Sequence, residues 1–159
     1  MPRITPFLWF DTEAEEAAEF YCSIFPNSKI TEVTHYSEAG PLPAGTAMTV
    51  SFVLDGQELT ALNGGPHFKL TEAFSLSISC ADQAEVDHYW DKLTADGGEE
   101  SQCGWLKDRY GLSWQVTPAG MEEIISSDDK ERVQRAMQAM FGMKKLDLAA
   151  LQAAADGAG

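Results

Sequence analysis

The chain has 159 residues, enough for a core of its own without disulfide or metal staples. Hydrophobic residues make up 44% of it and aromatics 10%, which excludes a disordered polymer. Lys and Arg total 11 against 25 Asp and Glu, and the resulting charge of −14 repels a phosphate backbone or an anionic membrane, so neither is expected as a partner.

The first apolar run, Ile4 to Phe10, has the composition of a largely buried strand. Thr12 follows with Glu15 three residues on, a capping-box pattern, and Ala14, Ala17, Ala18, Tyr21 and Phe25 then recur at helical spacing until Pro26-Asn27. Ile30 to Tyr36 is expected as a strand. Ser37 to Gly45, rich in Gly and Pro, is expected as a loop. Thr46 to Leu54 and Gln57 to Leu62 form a predicted hairpin across Asp55-Gly56, and Asn63-Gly64-Gly65-Pro66 breaks the chain.

The order then repeats. Phe74 to Cys80 alternates as a strand, and Asp82 with Glu85 caps a helix whose apolar face is Val86, Tyr89, Trp90 and Leu93. Asp96-Gly97-Gly98 ends that helix. Glu99 to Trp105 and Leu112 to Val116 are the next predicted strands. Ala14-Glu15 matches Ala84-Glu85, and Phe20 matches Trp90, at one constant offset. The order of pattern therefore predicts two copies of a strand–helix–strand–strand–strand unit. After Pro118 come helices: Met121, Ile124 and Ile125 on one, then Val133, Ala136, Met137, Met140 and Phe141 on another capped by Asp128. That Met-rich face either covers its own domain's sheet or docks on a second subunit.

No apolar run approaches the ~20 residues that span a bilayer, and the N-terminus carries no secretory signal pattern. Cys22, Cys80 and Cys103 are odd in number with no CxxC spacing, as for reduced, buried thiols in a cytoplasmic protein. His35, His67 and His88 form no HxxxH or HExxH pair, so a His-rich metal site is disfavoured; the many carboxylates allow an all-oxygen site, but surface charge explains them more simply, and no metal is expected. No GxGxxG, P-loop or GxSxG motif occurs, and no cofactor is expected. What remains is a set of aromatics and amides. Trp9, Phe68 and Trp114 suit the apolar walls of a pocket, and Asn63 and Gln115 suit its polar anchors. Trp105 and Tyr110 belong to the same aromatic set, each with core packing as the alternative. His67 is the one plausible proton carrier nearby.

These residues bring out a resemblance. Ile4 to Phe10, Phe20-Tyr21 through Phe25-Pro26-Asn27-Ser28, Leu62 to Pro66, Glu85 to Leu93, Gly104 to Asp108 and Gly111 to Gln115 are similar to the PhnB-like branch of the vicinal oxygen chelate superfamily. Glyoxalase I, bleomycin-resistance proteins and extradiol dioxygenases belong to that superfamily. The likeness covers nearly the whole chain, the Met-rich tail included. It implies an α+β fold of paired βαβββ modules with C-terminal helices, in a cupped sheet and usually a homodimer. The expected layout is a single domain over 1–159, with module one over roughly 1–66, module two over 67–118 and helices over 119–155.

Members of this branch often carry the label 3-demethylubiquinone-9 3-methyltransferase. Such chemistry needs S-adenosylmethionine, and no glycine-rich strand-to-helix loop is present. Metal-dependent relatives place His or Glu ligands on the first and last strands of each module. Here the resemblance puts Thr5 or Phe7, Asn63, Phe74 and Gln115 there, none a strong ligand for zinc, iron or nickel. The expected function is binding of a small organic molecule, without metal, by Trp9, Asn63, His67, Phe68, Trp114 and Gln115. The alternatives are an enzyme of the glyoxalase/dioxygenase or methyltransferase kind, and a non-catalytic interaction protein.

Overall fold

The computed structural model describes residues 3–157. The chain forms two compact units that divide between Leu70 and Thr71. In the first, β1 (Phe7–Phe10), α1 (Ala14–Ile24), β2 (Lys29–His35), β3 (Ala47–Leu54) and β4 (Gln57–Asn63) follow one another. The sheet order is β1-β4-β3-β2, with β1 parallel to β4 and the other pairs antiparallel. The second unit repeats the plan with β5 (Ser75–Cys80), α2 (Gln83–Thr94), β6 (Glu99–Glu100), β7 (Trp105–Lys107) and β8 (Ser113–Pro118) in the order β5-β8-β7-β6, again with the outer pair parallel. The paired βαβββ fold expected from pattern order is thus present.

Strand periodicity explains each core. In the first unit Leu8, Phe10, Val50, Phe52, Leu54, Leu59 and Ala61 alternate onto one face, and α1 lays Ala14, Ala17, Ala18, Tyr21 and Ile24 over it. Tyr21 stacks on Phe52 with ring centroids 6.2 Å apart. Each fully buried large side chain here contributes roughly 1.5–3 kcal/mol. In the second unit Leu106, Trp114, Val116 and Cys80 meet Val86, Trp90 and Leu93 of α2. The Asp55-Gly56 turn has φ of 45° and 93°, as a two-residue hairpin with strand-matching twist requires.

Several local expectations are corrected. The first strand begins at Phe7, not Ile4: Ile4 is 94% exposed, and Pro6, without an N–H, can only accept, from Thr60. Thr12 does not cap α1. The N-cap position is Glu13, whose side chain makes no cap bond, and the Ala14 N–H instead donates to Asn63 Oδ1 at 2.8 Å. By contrast Asp82 does cap α2, accepting from Glu85 N at 2.9 Å, while Glu85 reaches back to Ala81 N. The run from Glu99 pairs only over Glu99–Glu100 before a turn in which Cys103 and Gly104 take φ of 58° and 84°.

After Pro118, α3 (Met121–Ile125), α4 (Lys130–Phe141) and α5 (Leu148–Ala155) share a small core of Ile124, Ala136, Leu151 and Ala155, edged by Met121, Met140, Met143 and Leu148. Asp129 rather than Asp128 caps α4, through Glu131 N and Arg132 N. The apolar residues of α4 split between two sides. Ala136 and Met140 turn inward, whereas Val133, Met137 and Phe141 line an outer groove with Ile125. The linking segment Met143–Leu148 is strapped to α2 and the β6–β7 turn of its own unit. Cys103 N donates to Met143 O, Gly104 N to Lys144 O, and the Gln83 amide holds Leu146 O and Leu148 N. Lys145 pairs with Asp87 at 2.9 Å.

Candidate functional site

Each sheet has one face under its helix and one turned away from it, and the candidate residues divide between them. In β1, Trp9 lies between the buried Leu8 and Phe10, so its ring points away from α1. Its indole N–H donates to Gly65 O at 2.9 Å, and Phe68 meets the ring edge-on at 4.9 Å. Gly64 packs directly beneath the ring, where any Cβ would collide with it. Gly65, at φ 88°, bends the loop so that the His67 imidazole lies beside it. The loop after β4 thus gathers Trp9, His67 and Phe68, with Phe68 65% exposed.

Asn63 is not part of that gathering. Its register partner is Phe10, so it faces the helix side. There it is 2% exposed, accepts from Ala14 N and donates to Ala47 O at 3.0 Å. Tyr36 Oη donates to its backbone carbonyl. Its amide closes the N-terminus of α1, which explains why no local cap is needed.

In the second unit Trp114 and Gln115 are consecutive on β8 and point to opposite faces. Trp114 is buried, and its Nε1 donates to Asp108 Oδ2 at 2.8 Å. Asp108, itself buried, also accepts from Tyr110 N and Leu112 N, so this carboxylate organises the β7–β8 turn. Gln115 is on the other face and donates to Ser75 Oγ at 3.0 Å. Its direct cross-strand partner is Trp105, which is partly exposed and therefore shares Gln115's face. Trp105 is the residue that sequence reasoning underweighted. Two adjacent strand residues cannot line one pocket, and that parity was the available signal. Beside Trp105 a cavity of about 130 Å³ is lined by Ser101, Ser113, Lys107, Glu72, Glu99 and Glu100. Lys107 is ion-paired to Glu72, which holds that carboxyl below its usual range and raises the Lys107 ammonium.

The donor set does not fit a transition metal. Phe7 and Phe74 offer no donor, Thr5 and Gln115 are weak ones, and Asn63 is committed to backbone. Among the described residues no three His, Cys, Asp or Glu side chains gather as an ion-holding group. S-adenosylmethionine fits no better. The strand-to-helix links Asp11-Thr12-Glu13 and Ala81-Asp82 contain no glycine, and the helix starts they lead to are already closed by Asn63 and Asp82.

The family described as 3-demethylubiquinone-9 3-methyltransferase matches residues 2–117. The helices after Pro118 fall outside that match, which corrects the expectation that the likeness includes the Met-rich tail. No curated protein matches the chain. Among solved structures, a PhnB protein from Bacillus cereus described by that same family activity is 37% identical over 74% of this chain and 100% of its own, with a TM-score of 0.67. A Pseudomonas aeruginosa protein is 21% identical over 74% and 98% at a TM-score of 0.61, a likeness of fold. So is that of FosX, a fosfomycin resistance protein from Listeria monocytogenes solved with Mn(II) and sulfate, at 14% identity over 79% and 95% with a TM-score of 0.54. On the strength of the matched stretch and the duplicated βαβββ plan, this chain belongs to the 3-demethylubiquinone-9 3-methyltransferase family, the PhnB-like branch of the vicinal oxygen chelate superfamily.

Proposed function

We propose that this protein binds a small organic molecule, without a metal, on the face of the second unit's sheet turned away from α2. The observation that carries the reading is the pairing of Trp105 with Gln115: a partly exposed indole beside an amide on a strand face. Gln115 is the polar anchor. Within the first unit Trp9 and Phe68 form an apolar face of their own, with the His67 imidazole beside it. Trp114 serves the Trp105–Gln115 face from behind by fixing the strand that presents it, while Asn63 holds the helix start of the first unit. The absence of a gathered donor set among the described residues supports binding by hydrogen bonds and ring contact.

A thermal-shift and calorimetric screen of small neutral and charged organic compounds on the purified chain tests this. A compound bound by the folded state raises the melting temperature. Gln115→Ala is expected to weaken that compound by about 3–10-fold, the worth of one hydrogen bond. A tightly held transition metal in stoichiometric amount, or a screen in which nothing binds, overturns the reading.

The protein is further proposed to act as a cytoplasmic homodimer, in keeping with three free thiols and with the outer groove of α4. That groove, about 440 Å³, is lined by Ile125, Val133, Met137 and Phe141 and by no carboxylate. In a chain of charge −14 it is where a second copy meets least repulsion. Met137→Lys is expected to shift the species seen by light scattering toward monomer. An unchanged dimer, or a wild-type monomer, refutes this assignment.

A further inference from the structure

The binding face of the second unit has a chemistry that narrows what it takes. Ser75, Ser77 and Ser79 of β5 pair in register with Ser113, Gln115 and Thr117 of β8, so hydroxyls and one amide carpet the face beside Trp105. Gln115 spends one N–H on Ser75, which leaves an N–H and a carbonyl able to donate to and accept from the same ligand. Hydroxyl groups are partners of that dual kind. The indole of Trp105 supplies a flat apolar surface for a ring.

The charged side chains beside Trp105 are Lys107 with the carboxylates Glu72, Glu99 and Glu100. Lys107 lies between Glu72, with which it is paired, and its strand partner Glu99. Glu100, the register partner of the buried Leu106, turns toward the helix side, where its Oε1 accepts from Trp90 Nε1 at 2.8 Å. An anion therefore finds no free cation on this face among the described residues, in a molecule already at −14. An organic cation would have to displace Lys107 from its carboxylates. The cavity of about 130 Å³ next to Trp105 has room for a polar substituent and bonds it through Ser101 and Ser113.

We propose that the Trp105–Gln115 face takes a neutral, hydroxyl-bearing molecule with a flat apolar side, such as a sugar ring or aromatic glycoside. This rests on the binding reading above and specifies its ligand class.

Three probes sharing one phenyl ring test it: phenyl β-glucoside, phenylphosphonate and phenyltrimethylammonium, each titrated into the full chain by calorimetry with saturation-transfer NMR. The glucoside is expected to bind about tenfold or more tighter than either ion, a difference of roughly one desolvated charge contact. Trp105→Ala and Gln115→Leu are each expected to weaken it by about 3–10-fold. Circular dichroism on each variant guards against loss of fold. If either ion binds as well as the glucoside and responds to Trp105→Ala, the class is overturned while the binding reading stands. If none of the three binds, the class is overturned as well, and the broader screen alone judges the binding reading.

Discussion

Two amides that look alike in the sequence have opposite employment. Asn63 is buried and satisfied by Ala14 N and Ala47 O, whereas Gln115 is partly exposed and lightly bonded. Asn63→Ala should therefore cost about 2–4 kcal/mol, from a lost helix cap plus an orphaned carbonyl, while Gln115→Ala should cost under about 1 kcal/mol. Urea denaturation of both variants checks the contrast; equal losses would dissolve it. The sequence could not disclose this for Asn63, because the amide it caps lies far away along the chain, and the local Thr12–Glu15 pattern offered a competing cap. The Trp114–Gln115 split, by contrast, was legible from strand parity alone. The thiols differ in the same way. Cys80 is fully buried, and burial with Glu85 and Asp82 nearby pushes it up to about 11. At pH 8 iodoacetamide should leave Cys80 unmodified in the native protein and label it in denaturant, as read by peptide mass spectrometry. Native labelling of Cys80 would contradict its burial.

Among the elements, those with dense periodicity were readable and those held by distant partners were not. The alternation of Leu76, Ile78 and Cys80 with Ser75, Ser77 and Ser79 gave β5 directly, and Asp82 with Glu85 marked the start of α2. The brevity of β6 was hidden, because its end is set by the left-handed Cys103-Gly104 turn, whose amides seek carbonyls from Met143 and Lys144. That strap also carries the Lys145–Asp87 pair. Lys145, hydrogen-bonded to Asp87, is raised above its ordinary value, and Asp87 is correspondingly lowered. The lowered carboxyl contributes stability above its unfolded pKa and loses it as pH falls through the folded one. The raised ammonium contributes below its unfolded pKa and loses it as pH rises through the folded one. The pair is thus complete between about pH 4 and pH 10. Both side chains are roughly two-fifths exposed, so Lys145→Met should cost under about 1 kcal/mol at pH 7. The difference in melting temperature from wild type should shrink below pH 4. A difference that persists at pH 2 would show that the ion pair does not carry the effect.

For the molecule as a whole, repetition was the strongest signal. The strand–helix–strand–strand–strand order recurs with the same sheet order and the same parallel outer pair. A repeated order of patterns survives even where little identity does, and so the fold was legible although the contacts were not. What the order could not convey was the limit of the family likeness at residue 117. The helices beyond it are nevertheless fastened to α2 and the β6–β7 turn of the same unit by Gln83, Gly104 and Asp87. Ending the chain after Pro118 should lower the melting temperature by several degrees, since Leu146 is fully buried and its neighbours would face water. A truncated protein that melts like the full chain would make those helices dispensable.

The closeness of Leu146 to Gly104 carries one more implication. A Cβ at Gly104 would run into both Leu146 and the carbonyl of Val116. The β6–β7 turn is therefore shaped to receive a segment synthesised some forty residues later. During translation that turn must wait, incomplete, until the segment carrying Leu146 has left the ribosome.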